Sequence, residues 1–255
     1  MKAKQILSSL VLVGVLSIGM AAQSGASRND ASIAPEVVKK LDQKSQFEKV
    51  QSSVQDGIVT LTGAVPLYQD KLDAAKNVRK LKNVQGVRNL IEVSGENVPD
   101  AELAAQLSKK IYYDRVGYPD NAFNYITVSV KNGMVFLSGQ TYYSVPKDSA
   151  LAIANRMPGV KDVVDNIQVL PTSLFDDQLR RQAMRSIYGN SVLSRYAIDP
   201  AKPIRIIVDN GHIVLEGTVQ SPMDKQVAGM RANALPGAFS VQNNLTVESD
   251  SKQGM

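Results

Sequence analysis

Three glycine turns constrain this chain more than any other feature. Asp56-Gly57 sits between two alternating apolar segments, and so do Asn132-Gly133 and Asn210-Gly211. An Asp-Gly or Asn-Gly pair suits the type I′ turn of a β-hairpin, because both central residues need φ > 0. Aligned on these glycines, Gly57 to Gly133 is 76 residues and Gly133 to Gly211 is 78, and the same offsets hold to the end of each unit. Gly63, Gly139 and Gly217 coincide, as do Ala74, Ala150 and Ala228, and then Leu81, Met157 and Leu235. A block repeated without insertion is a folding unit with spacings fixed by packing, so the chain is read as three copies of one domain.

Counting outward from each turn predicts the hairpin register. Val54 faces Val59, Ser52 faces Leu61 and Val50 faces Gly63. The equivalents are Val130/Val135, Val128/Leu137 and Ile126/Gly139, then Val208/Ile213, Ile206/Leu215 and Ile204/Gly217. The closing glycine falls on the packed face, which predicts a close approach by a helix or a bend in the strand.

A helix follows each hairpin, with stripes Ala74/Val78/Leu81, Ala150/Ala154/Met157 and Ala228/Ala232/Leu235. Pro158-Gly159 and Pro236-Gly237 stop the second and third of these helices, and Asn83 stands in the glycine's place in the first. Last strands are expected at Val87–Val93, Val163–Val169 and Val241–Val247, parallel to the hairpin's second strand. A helix also precedes each hairpin. Pro35 opens the first, carrying Val37, Val38 and Leu41; Asp100 is the candidate N-cap of the second; Leu179, Ala183 and Ile187 mark the third. The fold class is α+β: three tandem αββαβ units, each a small mixed three-stranded sheet packed against two helices. The expected boundaries are 34–96, 97–172 and 173–248, with a polar tail at 249–255.

Residues 1–22 have a short basic start, an apolar run from Ile6 to Met20 and small residues from Ala21. That is the layout of a cleaved signal peptide, and the run is shorter than the ~20 residues of a spanning helix. Residues 23–33 read as a flexible leader. The expected location is periplasmic or secreted, with no transmembrane span after cleavage.

These residues resemble a known family. The D/N-G turn, the runs V-T-L-T-G, V-F-L-S-G and I-V-L-E-G, and the ending P-G-V-K-D-V-V-D-N-I-Q-V are similar to the BON domain, named for bacterial osmotically inducible and nodulation proteins. The second copy matches best, while Asn83, Leu90 and Ala238 depart from the pattern. The resemblance implies an αββαβ fold, an envelope location and binding of phospholipid or other envelope components, and it implies no catalytic residues.

Little in the composition points to an enzyme. With no cysteine there is no thiolate ligand or cysteine nucleophile, and the single histidine, His212, has no second histidine to join it. No phosphate loop or metalloprotease motif is present, so no catalytic residue, metal or cofactor is assigned. Net charge is a mild +5, and the absence of a nucleic-acid signature argues against that partner. Asn89, Asp165 and Asn243, near the start of the last strands, are read as turn or capping residues.

Two binding candidates stand out. Lys71, Lys76, Arg79, Lys80 and Lys82 form a basic stripe on the helix of the first unit, suited to anionic lipid headgroups or merely to solvation. Tyr112, Tyr113, Tyr118, Phe123, Tyr125, Tyr142 and Tyr143 concentrate in the second unit, Tyr125 on the outward parity of its strand. They suit an interface with lipid or an envelope protein, or a joint between units, since units of ~70 residues gain stability from their neighbours. The functional expectation is a non-enzymatic, exported protein that holds to anionic phospholipid membranes in envelope maintenance or stress protection. The alternative is a ligand-sensing or scaffold module binding an ion, glycan or partner protein.

Overall fold

The computed structural model describes residues 25–118, 120–198 and 203–248. The expected signal peptide at 1–22, the tail at 249–255, and Pro119 and Pro200 of the long connections lie outside the described residues. The first unit runs α1 (Gly25–Leu41), a 3₁₀ turn (Ser45–Phe47), β1 (Val50–Gln55), β2 (Ile58–Val65), α2 (Tyr68–Arg79), β3 (Gly86–Asn89) and β4 (Glu92–Val93). The second runs α3 (Asp100–Asp114), a 3₁₀ turn (Asn121–Phe123), β5 (Tyr125–Lys131), β6 (Met134–Thr141), α4 (Ser144–Asn155) and β7 (Asp162–Val169). The third runs α5 (Leu174–Tyr188), α6 (Arg195–Ile198), β8 (Arg205–Asp209), β9 (His212–Glu216), β10 (Thr218–Val219), α7 (Pro222–Asn233), β11 (Ser240–Asn243) and β12 (Thr246–Val247).

Each hairpin is antiparallel and each crossover returns parallel to the second strand, which makes the mixed sheets of an α+β fold. The pairings counted from the turns are those observed, except that Ile204 and Gly217 lie beyond the ladder of β8 and β9. All six central turn residues have positive φ, from 48° at Asn210 to 79° at Gly211. The alanine stripes of α2, α4 and α7 are buried on the sheets, so the helices sit low against them. Asn83, at φ 66°, takes the left-handed position that Gly159 and Gly237 fill elsewhere.

Three expectations need correction. First, residues 25–33 are not a flexible leader: α1 starts at Gly25, Pro35 lies inside it, and Ile33, Val37 and Leu41 form its buried face while Val38 is exposed. Second, the approach to the closing glycine comes from backbone, not a helix. A Cβ on Gly139 would lie 2.0 Å from the Tyr125 carbonyl oxygen, and one on Gly63 would lie 2.0 Å from that of Lys49. Third, the last strand is unbroken only in the second unit. Asn89 donates to the Lys71 carbonyl (2.7 Å) and accepts from the Ile91 amide, and Asn243 does the same with Lys225 and Leu245. Asp165 likewise accepts from the Ile167 amide, so the donated bond is what distinguishes the units in which β3 parts from β4 and β11 from β12. Asp165 cannot donate as asparagine does. Lys147 there bonds its carboxylate at 2.8 Å and the Ile167 carbonyl as well, and β7 runs through.

Asp100 is not the N-cap of α3; Pro99 holds that place. Its carboxylate instead accepts from both turn amides of the hairpin, Asn132 at 2.6 Å and Gly133 at 2.9 Å. Asp30 does the same for Asp56 and Gly57, both at 2.8 Å, and Asp176 for Asn210 and Gly211 at 3.0 and 2.8 Å. A carboxylate from the first helix thus clamps each turn, and the spacing from clamp to turn varies enough to hide it in the sequence. Asp176 is 1% exposed. Asp176→Ala is therefore expected to cost about 3 kcal/mol, for two charge-assisted bonds lost in a buried place. Asp30→Ala, in a wetter place, is expected to cost about 1 kcal/mol. Urea unfolding of the two variants checks the ranking.

Candidate functional site

The second and third units interlock. The long connection of the second unit folds its 3₁₀ turn onto β8, so that Phe123, 7% exposed, joins the core of the third unit, to which Ile204 and Ile206 belong. Tyr142 meets Phe123 edge-on, with ring centroids 5.9 Å apart, and packs on the same core. Buried Arg205 of β8 donates to the carbonyl and side-chain oxygens of Asn121 and lies 5.2 Å over the Tyr112 ring. Burial pushes the Arg205 guanidinium below its usual range and raises the Tyr125 phenol, which lies near Glu216 of the third unit. The outward parity of Tyr125 thus turns it towards a neighbouring unit. The first unit is tied on by Tyr68, which packs against the core of the second, and its phenol is pushed up to about 12 by burial and a hydrogen bond with Asp162.

Where the seam between the second and third units opens, it leaves a cleft of ≈ 680 Å³. Its floor is Phe123, Tyr142 and Met184, and its rim is Tyr118, Tyr143 and Val145. Tyr142 and Tyr143 have centroids 3.9 Å apart; burial and hydrogen bonds with Tyr143 and Asp177 hold the Tyr142 phenol far above its ordinary value. Two arginine-carboxylate pairs stand in the walls. Arg115 holds Asp120 at 3.1 Å and lies 4.1 Å from the Tyr118 ring, while Arg180 holds Asp177 at 2.7 Å and lies 4.5 Å from the Tyr142 ring. Arg180 also donates to the Val208 carbonyl.

Of the tyrosine group, then, Tyr118, Phe123, Tyr142 and Tyr143 line the cleft, Tyr112 and Tyr125 lie within the seam, and Tyr113 is exposed outside it. The basic stripe lies elsewhere: none of its five residues lines the cleft. Lys76, Arg79, Lys80 and Lys82 are exposed around the end of α2, where cations complement the helix dipole. Lys71 is half-buried and its carbonyl serves Asn89. Sequence reasoning missed Arg115, Asp120, Asp177, Arg180 and Arg181. Arg180 in particular sits in a charged helix turn that reads as a solvated face, and only the third dimension buries it.

The connection of the third unit serves its own core. The Asp224 carboxylate takes bonds from Arg195 at 2.5 Å and from the Tyr196 hydroxyl at 2.6 Å. Burial pushes that carboxyl up, but the bonds from Tyr196, Arg195 and Ser221 prevail and hold it below the usual range. His212 is exposed, its Nδ1 2.7 Å from the Ser240 hydroxyl. Among the described residues no three His, Cys, Asp or Glu side chains come together as a metal-holding group, and no helix is long and apolar enough to cross a membrane.

Three clamped hairpins, each with a parallel crossover over an alanine-striped helix, define a chain of tandem αββαβ domains. The family model of the BON domain matches residues 29–95, 99–171 and 177–249. The chain belongs to the BON domain family, in three tandem copies. A stretch of 149 residues is 28% identical to a protein of Anaplasma centrale described as the "uncharacterized protein in gshII 5′ region", covering 57% of this chain and 98% of that protein. The chain is also similar to the C-terminal domain of CdsD, the structural protein of the type III secretion system of Chlamydia trachomatis. That match has 14% identity and a TM-score of 0.23, over 84% of this chain and 96% of the other. Another is the periplasmic domain of the type III secretion inner membrane protein PrgH from S. typhimurium, with 14% identity and a TM-score of 0.19, over 81% and 98%. At such TM-scores the likeness to these two structures carries no conclusion about this chain.

Proposed function

We propose that this is an exported, non-enzymatic protein of the cell envelope that holds to anionic phospholipid surfaces and serves envelope maintenance or stress protection. The observation that carries the reading is the cluster Lys76, Arg79, Lys80 and Lys82, all exposed and none engaged in an ion pair among the described residues. Each such cation gains about 1 kcal/mol near an anionic leaflet, an attraction that salt screens. The basic start and apolar run of residues 1–22 support export, and membership of the BON family supports an envelope role without catalysis.

Flotation with phosphatidylglycerol vesicles tests the reading. The mature protein is expected to float at low salt and to be released at high salt. Lys76→Glu, Arg79→Glu and Lys80→Glu together are expected to abolish flotation while the fold is kept: all three side chains face solvent, and the reversed charges at the end of α2 cost about 0.3–1 kcal/mol each against the helix dipole, a small fall in melting temperature. Flotation by the triple variant, or none by the native protein at low salt, would sink the lipid reading. A second reading, a ligand-holding module, is favoured by the cleft at the seam.

A further inference from the structure

The two wall arginines of the cleft have more donors than their partners use. Arg180 is 1% exposed; its terminal nitrogens serve Asp177 and the Val208 carbonyl, and its Nε has no acceptor. Arg115 spends one terminal nitrogen on both oxygens of Asp120, and its buried Nε has none either. A buried donor left without an acceptor costs about 1–3 kcal/mol, and native proteins keep few of them. Here two of the three found among the described residues belong to arginines that line one cleft.

Charge points the same way. Arg115, Arg180 and Arg181 face the cleft against Asp120 and Asp177, so a positive excess remains. It rests with Arg181, which is exposed and in no ion pair among the described residues. The remaining surface is aromatic and aliphatic. Val145, 56% exposed, forms part of the rim, an apolar side chain in water for which the fold supplies no cover. The volume falls within the roughly 300–1,000 Å³ usual for small-molecule sites.

We infer that the cleft binds a small amphipathic anion, its carboxylate or phosphate-ester head among Arg115, Arg180 and Arg181 and its alkyl or aryl body on Phe123, Tyr142 and Val145. The inference rests on the ligand-holding reading and is independent of attachment to membranes. Arg115 and Arg180 are already oriented by their carboxylates and rings, so two of the three donors need no ordering when the head arrives. A cation would meet the positive excess, and a neutral alcohol would leave that excess unbalanced and gain no charge-assisted bond from the arginines.

Titration calorimetry on the full mature chain, below micelle-forming concentrations, tests this with octyl phosphate, octanoate, octanol, octylammonium and inorganic phosphate. At least one of octyl phosphate and octanoate is expected to bind at least about tenfold more tightly than octanol, octylammonium or inorganic phosphate. Binding of octyl phosphate alone would identify a phosphate ester such as a lipid headgroup. Binding of octanoate, alone or as well, would identify a free carboxylate source. Val145→Glu lies in the first turn of α4, where a carboxylate suits the helix dipole, so the variant is expected to keep its melting temperature. It is expected to bind the preferred anion at least about tenfold more weakly. Octanol binding as tightly as both anions, or Val145→Glu binding like the native chain, overturns the inference. The triple glutamate variant at 76, 79 and 80 is expected to keep full octyl phosphate or octanoate binding, so failure at the cleft and failure at the membrane are read separately.

Discussion

Alanine at position 139 is expected to abolish the native fold of the second domain. Gly139 has φ 124°, which costs an L-residue about 1–3 kcal/mol in any surroundings. The added Cβ would also stand 2.0 Å from the carbonyl oxygen of Tyr125, the backbone of the paired strand. No side chain can move aside to relieve that contact, so the hairpin must part where Ile126 faces Gly139. Gly117→Ala is the internal control. Gly117 has φ 87° and nothing within 4 Å of where a Cβ would stand, so only the conformational cost of about 1 kcal/mol applies. Circular dichroism and thermal melting of the two variants separate lack of space from backbone strain. Equal losses would show that the strand contact relaxes.

Phe123→Ala is the second large effect, expected to cost about 3–5 kcal/mol as a buried aromatic lost from a core. Its location is the sharper part of the expectation. Phe123 belongs by sequence to the second domain, yet it is part of the core that holds Ile204 and Ile206 of the third. Hydrogen exchange should therefore rise in β8 and β9, 80 or so residues away in sequence, while β1 and β2 of the first domain keep their protection. Exchange that rises only around residue 123 would mean that the seam is a loose contact and that the domains fold independently.

These two sites also show what could be read from the sequence. The closing glycine was legible because it recurs at one offset and its place in the register follows from counting residues. What presses on it was not, since a strand's own carbonyl leaves no mark in a pattern of apolar residues. The alanine stripes were legible for the same reason as the turns, periodicity on a repeated element. The seam had no such signal. Arg205 meets Asn121 across 84 residues, a pairing that follows no repeat period and has no counterpart among the described residues, and Arg180 looks in sequence like any arginine on a wet helix face. The tyrosines drew attention to their segment through their number alone. The cleft they help to line depended on how two domains meet, which local patterns do not encode. The start of α1 was missed because Gly25-Ala-Ser-Arg has the composition of a linker, whereas Ile33 in the core and Asp30 on the turn hold that stretch in place.

The clamped turns have a consequence for where ligands can bind. Two adjacent amides pointing outward from a tight turn form a nest for an anion, and such nests commonly hold phosphate or carboxylate groups. In this chain all three nests are filled from within by Asp30, Asp100 and Asp176. An anion from solution would have to displace a tethered carboxylate, whose effective concentration no free ligand matches. The most faithfully copied part of the protein is thereby closed to chemistry, and discrimination between ligands falls to parts that occur only once.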